Sequence, residues 1–210
     1  MPFDHNACYH RLMLQQVPAG ASRALDVGCG TGRFARRLAR AGLHVDAIDV
    51  DPSAIAFAQA AGSPGPGTIT YRCTDVIDLE LPAARYDVVT CIAALHHLPF
   101  DTVTRLAAAL RPGGVLLVLG LARARSPVPL LVWGVVAPPV NLLPRAAVAL
   151  GERCNGGPDP TPPVRMRDPE MSVSQVRREG NALLPGATVR TLLFWRYLLV
   201  HRRPDGRLEC

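Results

Sequence analysis

The segment Ala24–Gly32, A-L-D-V-G-C-G-T-G, constrains the fold more than any other part of this chain of 210 residues. A short apolar run carries an acidic residue near its end, Asp26. Glycines then alternate at Gly28, Gly30 and Gly32, and an arginine-rich helical pattern follows at once. An apolar run of this length closed by glycine reads as a buried strand. Glycine admits positive φ and places no Cβ between backbone and ligand, so the turn can lie flat against a bound small molecule. A helix predicted from about Thr31 directs its free N–H groups at the same place. The spacing departs from the dinucleotide fingerprint G-x-G-x-x-G: the third glycine comes four positions after the first, and Arg33 holds the fifth place.

From Arg23 to Leu119 strand and helix patterns alternate. Strands are predicted near 24–27, 44–48, 69–73, 86–91 and 114–120, and helices near 31–41, 53–61 and 101–109. Continuous apolar strands alternating with helices imply a parallel sheet covered on both faces. Ligands of such sheets bind beyond the carboxyl ends of the strands. Asp26, Asp49, Asp75 and His96 fall at or just past those ends and are expected to converge on one crevice. Asp51 is the expected N-cap of the Ser53–Ala61 helix.

Outside this region the pattern changes. A helix is predicted over 5–17, with Tyr9, Leu12, Met13 and Gln16 on one stripe. Residues 126–144 run without a charge, but their prolines forbid one continuous membrane helix. Short helical pieces above the sheet are expected there. A loop over 151–163, a helix over 167–179 and strands over 188–194 and 196–202 complete the pattern, with Phe194–His201 read as core strand.

Composition fits one domain, with 49% hydrophobic residues and a mean hydropathy of +0.15. The six cysteines show no metal-ligand spacing and read as buried free thiols of a reducing compartment; with no signal-peptide pattern, a cytoplasmic protein without a metal site is expected. The 23 basic residues are all arginine, which excludes a Schiff-base or P-loop lysine. Arg33, Arg36, Arg37 and Arg40 lie along one helix without interleaved aromatics, so the net charge of +6 reads as a solvated helix face, not a nucleic-acid groove.

Taken in order, D-V-G-C-G-T-G, H-V-D-A-I-D ending at Asp49, R-C-T-D-V at Arg72–Val76, Y-D-V-V-T-C-I-A-A-L-H-H-L at Tyr86–Leu98 and L-R-P-G-G-V-L-L-V-L at Leu110–Leu119 resemble the motifs of the class I S-adenosylmethionine-dependent methyltransferases. The resemblance covers about Asp4 to Leu121. It implies a doubly wound α/β fold with a mostly parallel seven-stranded Rossmann-like sheet, an antiparallel C-terminal hairpin and a lid insertion after strand five. In that scheme residues 1–22 form an N-terminal helix, 23–121 the cofactor core, 122–166 the lid, and 167–204 a helix and hairpin.

The resemblance also implies roles. Asp26 anchors the cofactor's amino group. Gly28, Cys29, Gly30 and Gly32 form the loop beneath it, and Asp49, beside Val50, holds the ribose. Asp75 and Val76 meet the adenine, and Cys91 falls in the turn after strand four. Tyr9 either reaches the cofactor carboxylate or packs on the sheet. His96 and His97 are candidates for acid–base work, with packing or a backbone bond as the plainer reading. Trp133 walls an acceptor pocket or belongs to the lid core. The implied activity is methyl transfer from S-adenosylmethionine to a small apolar or aromatic acceptor. The alternatives are a non-catalytic partner-binding protein of the same fold and an NAD-type oxidoreductase. The sequence does not define the oligomeric state.

Overall fold

A computed structural model describes residues 6, 9–63, 65–123, 168–193 and 195–205. The expected lid at 126–144, Trp133 and the loop over 151–163 lie outside them. Seven strands form one sheet: β1 (Arg23–Val27), β2 (His44–Asp49), β3 (Ile69–Cys73), β4 (Tyr86–Ile92), β5 (Leu110–Leu121), β6 (Thr188–Leu192) and β7 (Arg196–Arg202). Their order is β3-β2-β1-β4-β5-β7-β6. β1 to β5 pair in parallel, whereas β7 runs antiparallel to both β5 and β6. The order reverses between β1 and β4, and the crevice beyond their carboxyl ends is where such sheets bind ligands.

Alternate side chains of the central strands enter two cores. Leu25, Val27, Val89, Cys91, Leu116, Val118 and Leu199 pack with Val103 and Leu106 of α4 (Thr102–Ala108) and Val176 of α5 (Val173–Leu183). Ala24, Val45, Val88, Leu117 and Leu198 pack with Met13 of α1 (His10–Leu14) and Phe34 and Leu38 of α2 (Arg33–Arg40). Each large apolar side chain so buried contributes about 1.5–3 kcal/mol. α3 (Pro52–Ala60) follows β2 and is capped as expected: Asp51 Oδ1 accepts from the Ser53 N–H at 2.8 Å, and Pro52 opens the first turn.

Several boundaries differ from the sequence reading. α2 starts at Arg33, not Thr31, because Gly32 takes the left-handed conformation (φ 73°) and prolongs the turn. α1 is shorter than expected within the described residues, and Tyr9 is its N-cap. α5 starts at Val173 because Ser172 and Gln175 form a capping box. β5 begins at Leu110, opposite Tyr86; the register then slips around Pro112–Gly114 before Val115 pairs with Val88. Trp195 is not in a core strand. It sits in the β6–β7 turn with φ 54° and is 43% exposed.

Candidate functional site

Asp49 organises the glycine loop. Its Oδ2 accepts from the Gly30 N–H at 2.7 Å, its Oδ1 from the Asp51 N–H at 2.9 Å, and its backbone carbonyl from the Thr74 N–H at 2.9 Å. One residue at the end of β2 thus ties together the loop after β1 and the chain leaving β3. The Gly28 and Cys29 N–H groups both donate to the Ile48 carbonyl, at 2.9 and 3.0 Å. Gly28 has φ 67°, and a Cβ there would overlap the Ala94 side chain. Gly30 has φ 51°, yet a Cβ there would meet no atom within 4 Å. Packing therefore explains Gly28, while at Gly30 only the backbone conformation and the open space above it favour glycine.

Arg36 was read as part of a solvated helix face. Instead its Nη1 donates to the Thr31 carbonyl at 2.8 Å and clamps the end of the loop. The available signal was its place in the first turn of the helix after the glycines. Arg37 and Arg40 are exposed, as that reading expected. Tyr71 of β3 lies against Gly32, where a Cβ would overlap its ring.

Asp26 is only 1% exposed and faces the same side of the sheet as Ala24 and Val88. Its Oδ1 accepts from the Thr90 hydroxyl at 2.6 Å; its Oδ2, equally buried, has no hydrogen-bond partner among the described residues. Burial pushes the Asp26 carboxyl up to about 7; the Thr90 hydroxyl and, to a smaller extent, the Ala35 backbone N–H oppose this shift, and the Asp49 charge adds to it. Thr90 was not singled out in the sequence, where a threonine in an apolar run reads as an ordinary strand former.

The other expected cofactor residues separate into exposed and buried sets. Asp75 is half-buried, and its Oδ1 holds the Ile77 N–H at 2.9 Å. Val50 is 62% exposed and Ile77 41%, so two apolar side chains face outward beside Asp49 and Asp75. Val76 is buried in the core and offers its neighbourhood only backbone. Cys91 lies within β4 and not in a turn; its side chain is fully buried, which pushes its thiol up to about 12. Cys29 is half-buried, with burial raising its thiol and its Sγ 3.7 Å from the Gly30 carbonyl. Cys73, expected to be buried, is exposed.

β4 is followed by a 3₁₀ turn, Leu95–His97. His96 is half-buried and His97 exposed, with ring centroids 4.0 Å apart at 41°. Ala94 packs so closely on Gly28 that no Cβ fits there, which sets this turn against the glycine loop. The Tyr9 hydroxyl donates to the Leu193 carbonyl at 3.1 Å, so this side chain reaches the β6–β7 turn while its ring packs against the α2 side of the core. Because β7 is antiparallel to β5 and Arg196 pairs with Leu121, that turn lies at the same end of the sheet as the glycine loop. Tyr197 lies in the stretch expected to be core strand and is buried in β7. It is 3% exposed, and its ring fills the place where Gly120 would otherwise carry a Cβ. Burial, with the nearby Cys91, raises its hydroxyl. Among the described residues no group of three His, Cys, Asp or Glu side chains forms a metal site, and no helix is long and apolar enough to cross a membrane.

This glycine loop, held at the reversal of strand order by a carboxylate at the end of β2, is the arrangement of a Rossmann-like nucleotide-cofactor enzyme. Residues 24–114 match the family model described as a methyltransferase domain. An uncharacterized methyltransferase of Mycobacterium bovis is 35% identical over 97% of this chain and 98% of its own length. The chain belongs to the class I S-adenosylmethionine-dependent methyltransferases. The ubiquinone biosynthesis O-methyltransferase of Xylella fastidiosa is 38% identical over 62% of this chain, which spans 54% of that protein. Among solved structures, the PH0226 protein of Pyrococcus horikoshii shares the fold with a TM-score of 0.61 at 17% identity, covering 93% of this chain and 87% of that one. A methyltransferase of Methanosarcina mazei does so at 0.59 and 16% identity, covering 91% and 97%. Family membership sets aside the NAD-type oxidoreductase as a reading of this chain.

Proposed function

We propose that this enzyme methylates a hydroxyl group of a small apolar or aromatic acceptor. The observation that carries the cofactor half of this reading is the buried Asp26 carboxylate beneath the glycine loop, with Oδ2 unpartnered among the described residues. An unpaired buried carboxylate is costly and calls for a cationic or hydrogen-bonding group at the site, and the methionine ammonium supplies one. When bound, S-adenosylmethionine brings a methyl group already activated on a cationic sulfur.

The protein's task is then to bind, orient and exclude water. Asp49 spends one acceptor site of each oxygen on the Gly30 and Asp51 N–H groups, and each carboxylate oxygen keeps a second for the ribose hydroxyls. Asp75 presents Oδ2 to the adenine amine, beside the Val76 backbone. Val50 and Ile77 offer the adenine ring apolar contact. Gly28, Cys29 and Gly32 shape the loop, and Cys91 acts only as core beneath it. His96, half-buried in the turn packed on the glycine loop, takes the proton of the acceptor hydroxyl, with the His97 ring tilted beside it. Tyr9 closes the β6–β7 side of the site. Support for the acceptor class comes from the uncharged residues 126–144, with Trp133 as an acceptor wall, and from the O-methyltransferase relatives. The acceptor is a small molecule, and the enzyme works in the cytoplasm.

The test is transfer of label from [methyl-³H]S-adenosylmethionine to catechol, 4-tert-butylcatechol, benzylamine and thiophenol. Label is expected in the catechols, more in the alkylated one. Labelling of the amine or thiol in preference to both catechols would overturn the hydroxyl assignment.

A further inference from the structure

Thr90 is buried to 0% exposure in the middle of β4, next to Asp26 on β1 in the parallel register. Its hydroxyl lies 2.6 Å from Asp26 Oδ1 and 3.3 Å from the Leu25 carbonyl. A hydroxyl carries one proton, and the shorter, charge-assisted contact takes it. Packing alone does not require a hydroxyl here. The neighbouring side chains on this face of the sheet include Ala24, Val88 and Leu117, and valine has the same shape as threonine. A buried hydroxyl directed at one carboxylate oxygen, with the other left unpartnered among the described residues, fixes both the rotamer and the vacant acceptor.

We propose that Thr90 is a positioning residue: by holding Asp26 Oδ1 it aims Oδ2 at the ammonium of the cofactor's amino-acid portion, directly or through one water. The inference rests on the cofactor reading of Asp26 above and adds the residue through which Asp26 is set.

Two hydrogen bonds, from the Thr90 hydroxyl and more weakly from the Ala35 N–H, oppose the effect of burial on Asp26. Asp49, on β2, adds negative charge. Cys29 in the loop, Cys91 on β4 and Tyr71 on β3 all feel Asp26 and are held in their neutral forms, each mainly by burial. Arg36 of α2 acts on Cys29 and Tyr71. Burial raises the Asp26 carboxyl to about 7, with the Thr90 bond as the largest opposing influence. Removing the hydroxyl moves the carboxyl further up, so the variant holds it protonated at pH 7 and ionised again only at higher pH.

The experiment is calorimetric binding of S-adenosylhomocysteine and of 5′-methylthioadenosine, which lacks the amino-acid portion, to wild type, Thr90→Val and Thr90→Ser. Thr90→Val is expected to bind S-adenosylhomocysteine about tenfold more weakly at pH 7, as the loss of one charge-assisted bond implies. The deficit should shrink by pH 9, while 5′-methylthioadenosine affinity stays within about twofold. Titration of the ligand's own amino group is common to both proteins and cancels in the ratio. Thr90→Ser restores wild-type binding, and Thr90→Val adds nothing in an Asp26→Asn background. Equal loss of both ligands, or a deficit independent of pH, would show a merely structural role and overturn the proposal. Unchanged S-adenosylhomocysteine affinity in Thr90→Val would do the same. Absence of binding to the wild type would instead bring down the cofactor reading itself, and this inference with it.

Discussion

Asp49 and Gly30, nineteen residues apart, are joined by a bond of 2.7 Å between a carboxylate oxygen at the end of β2 and a backbone N–H of the glycine loop. The carboxylate proposed to hold the ribose is therefore also the strut that holds the loop. Asp49→Ala removes both functions. Its S-adenosylhomocysteine affinity should fall by about 1–3 kcal/mol, with faster amide exchange at Gly30. Asp51→Ala loses a helix cap instead, about 1 kcal/mol of stability, with affinity nearly intact. Calorimetry and thermal melts check both, and greater loss of affinity in Asp51→Ala would reverse the assignment.

Gly30→Val tests the loop without disturbing the core, because a Cβ at this position meets no protein atom within 4 Å. The cost is backbone strain at φ 51° and intrusion into the space above the loop. S-adenosylhomocysteine binding should disappear while cooperative unfolding persists. A folded variant with full affinity would remove the loop from the cofactor site.

The raised Asp26 carboxyl predicts a stability cost that grows with pH. Its folded value, about 7, lies above the ordinary carboxylate value of 3.8. Between these two the native state binds more protons than the unfolded chain, so this residue's contribution to stability falls as pH rises through the window. Asp26→Asn should therefore be more stable than the ligand-free wild type at pH 8, by on the order of 4 kcal/mol, and show little advantage at pH 4. Denaturant melts across pH read this directly. The same variant should bind S-adenosylhomocysteine poorly, and an advantage that is largest at pH 4 would contradict the linkage.

Gly120→Ala places a methyl group where the Tyr197 ring already lies. The expected cost is about 1–3 kcal/mol of overpacking in the middle of the sheet. Tyr197→Ala in the same chain should relieve that clash, giving a favourable coupling energy in a double-mutant cycle. Additive losses would mean that the ring moves aside without strain.

What the sequence revealed follows the strength of each local signal. β3 is bounded as expected because Gly65–Gly67 precede it and Thr74–Asp75 follow it, and β7 ends as expected because Pro204 follows Arg203. The loop carboxylates Asp26 and Asp49 were legible because motif spacing places them at strand ends. The start of α2 was not, since glycine does not announce which φ it adopts, and Gly32 turns left-handed. Thr90 and Arg36 escape the sequence reading for a shared reason. Each acts across strands or across a turn, and a one-dimensional pattern records only what a residue is, not what it faces. Trp195 was misread because an aromatic residue within an apolar stretch suggests core, whereas the hairpin needed a turn there.

β5 lies between β4 and β7, and its partner on one side arrives late in the chain: Leu121 pairs with Arg196, 75 residues further on. Arg203 then closes the other end, donating to the Gly114 carbonyl and accepting from the Gly113 N–H, each at 2.9 Å. During synthesis β1 to β5 thus emerge before the strand that pairs with the free side of β5, an open row of backbone donors and acceptors of the kind that recruits wrong strands. The β6–β7 hairpin is local in sequence and forms quickly, so it acts as the cover that ends this exposed interval. Substitutions in the hairpin should accordingly register first as lost soluble yield from the ribosome, before any change in what the finished enzyme binds.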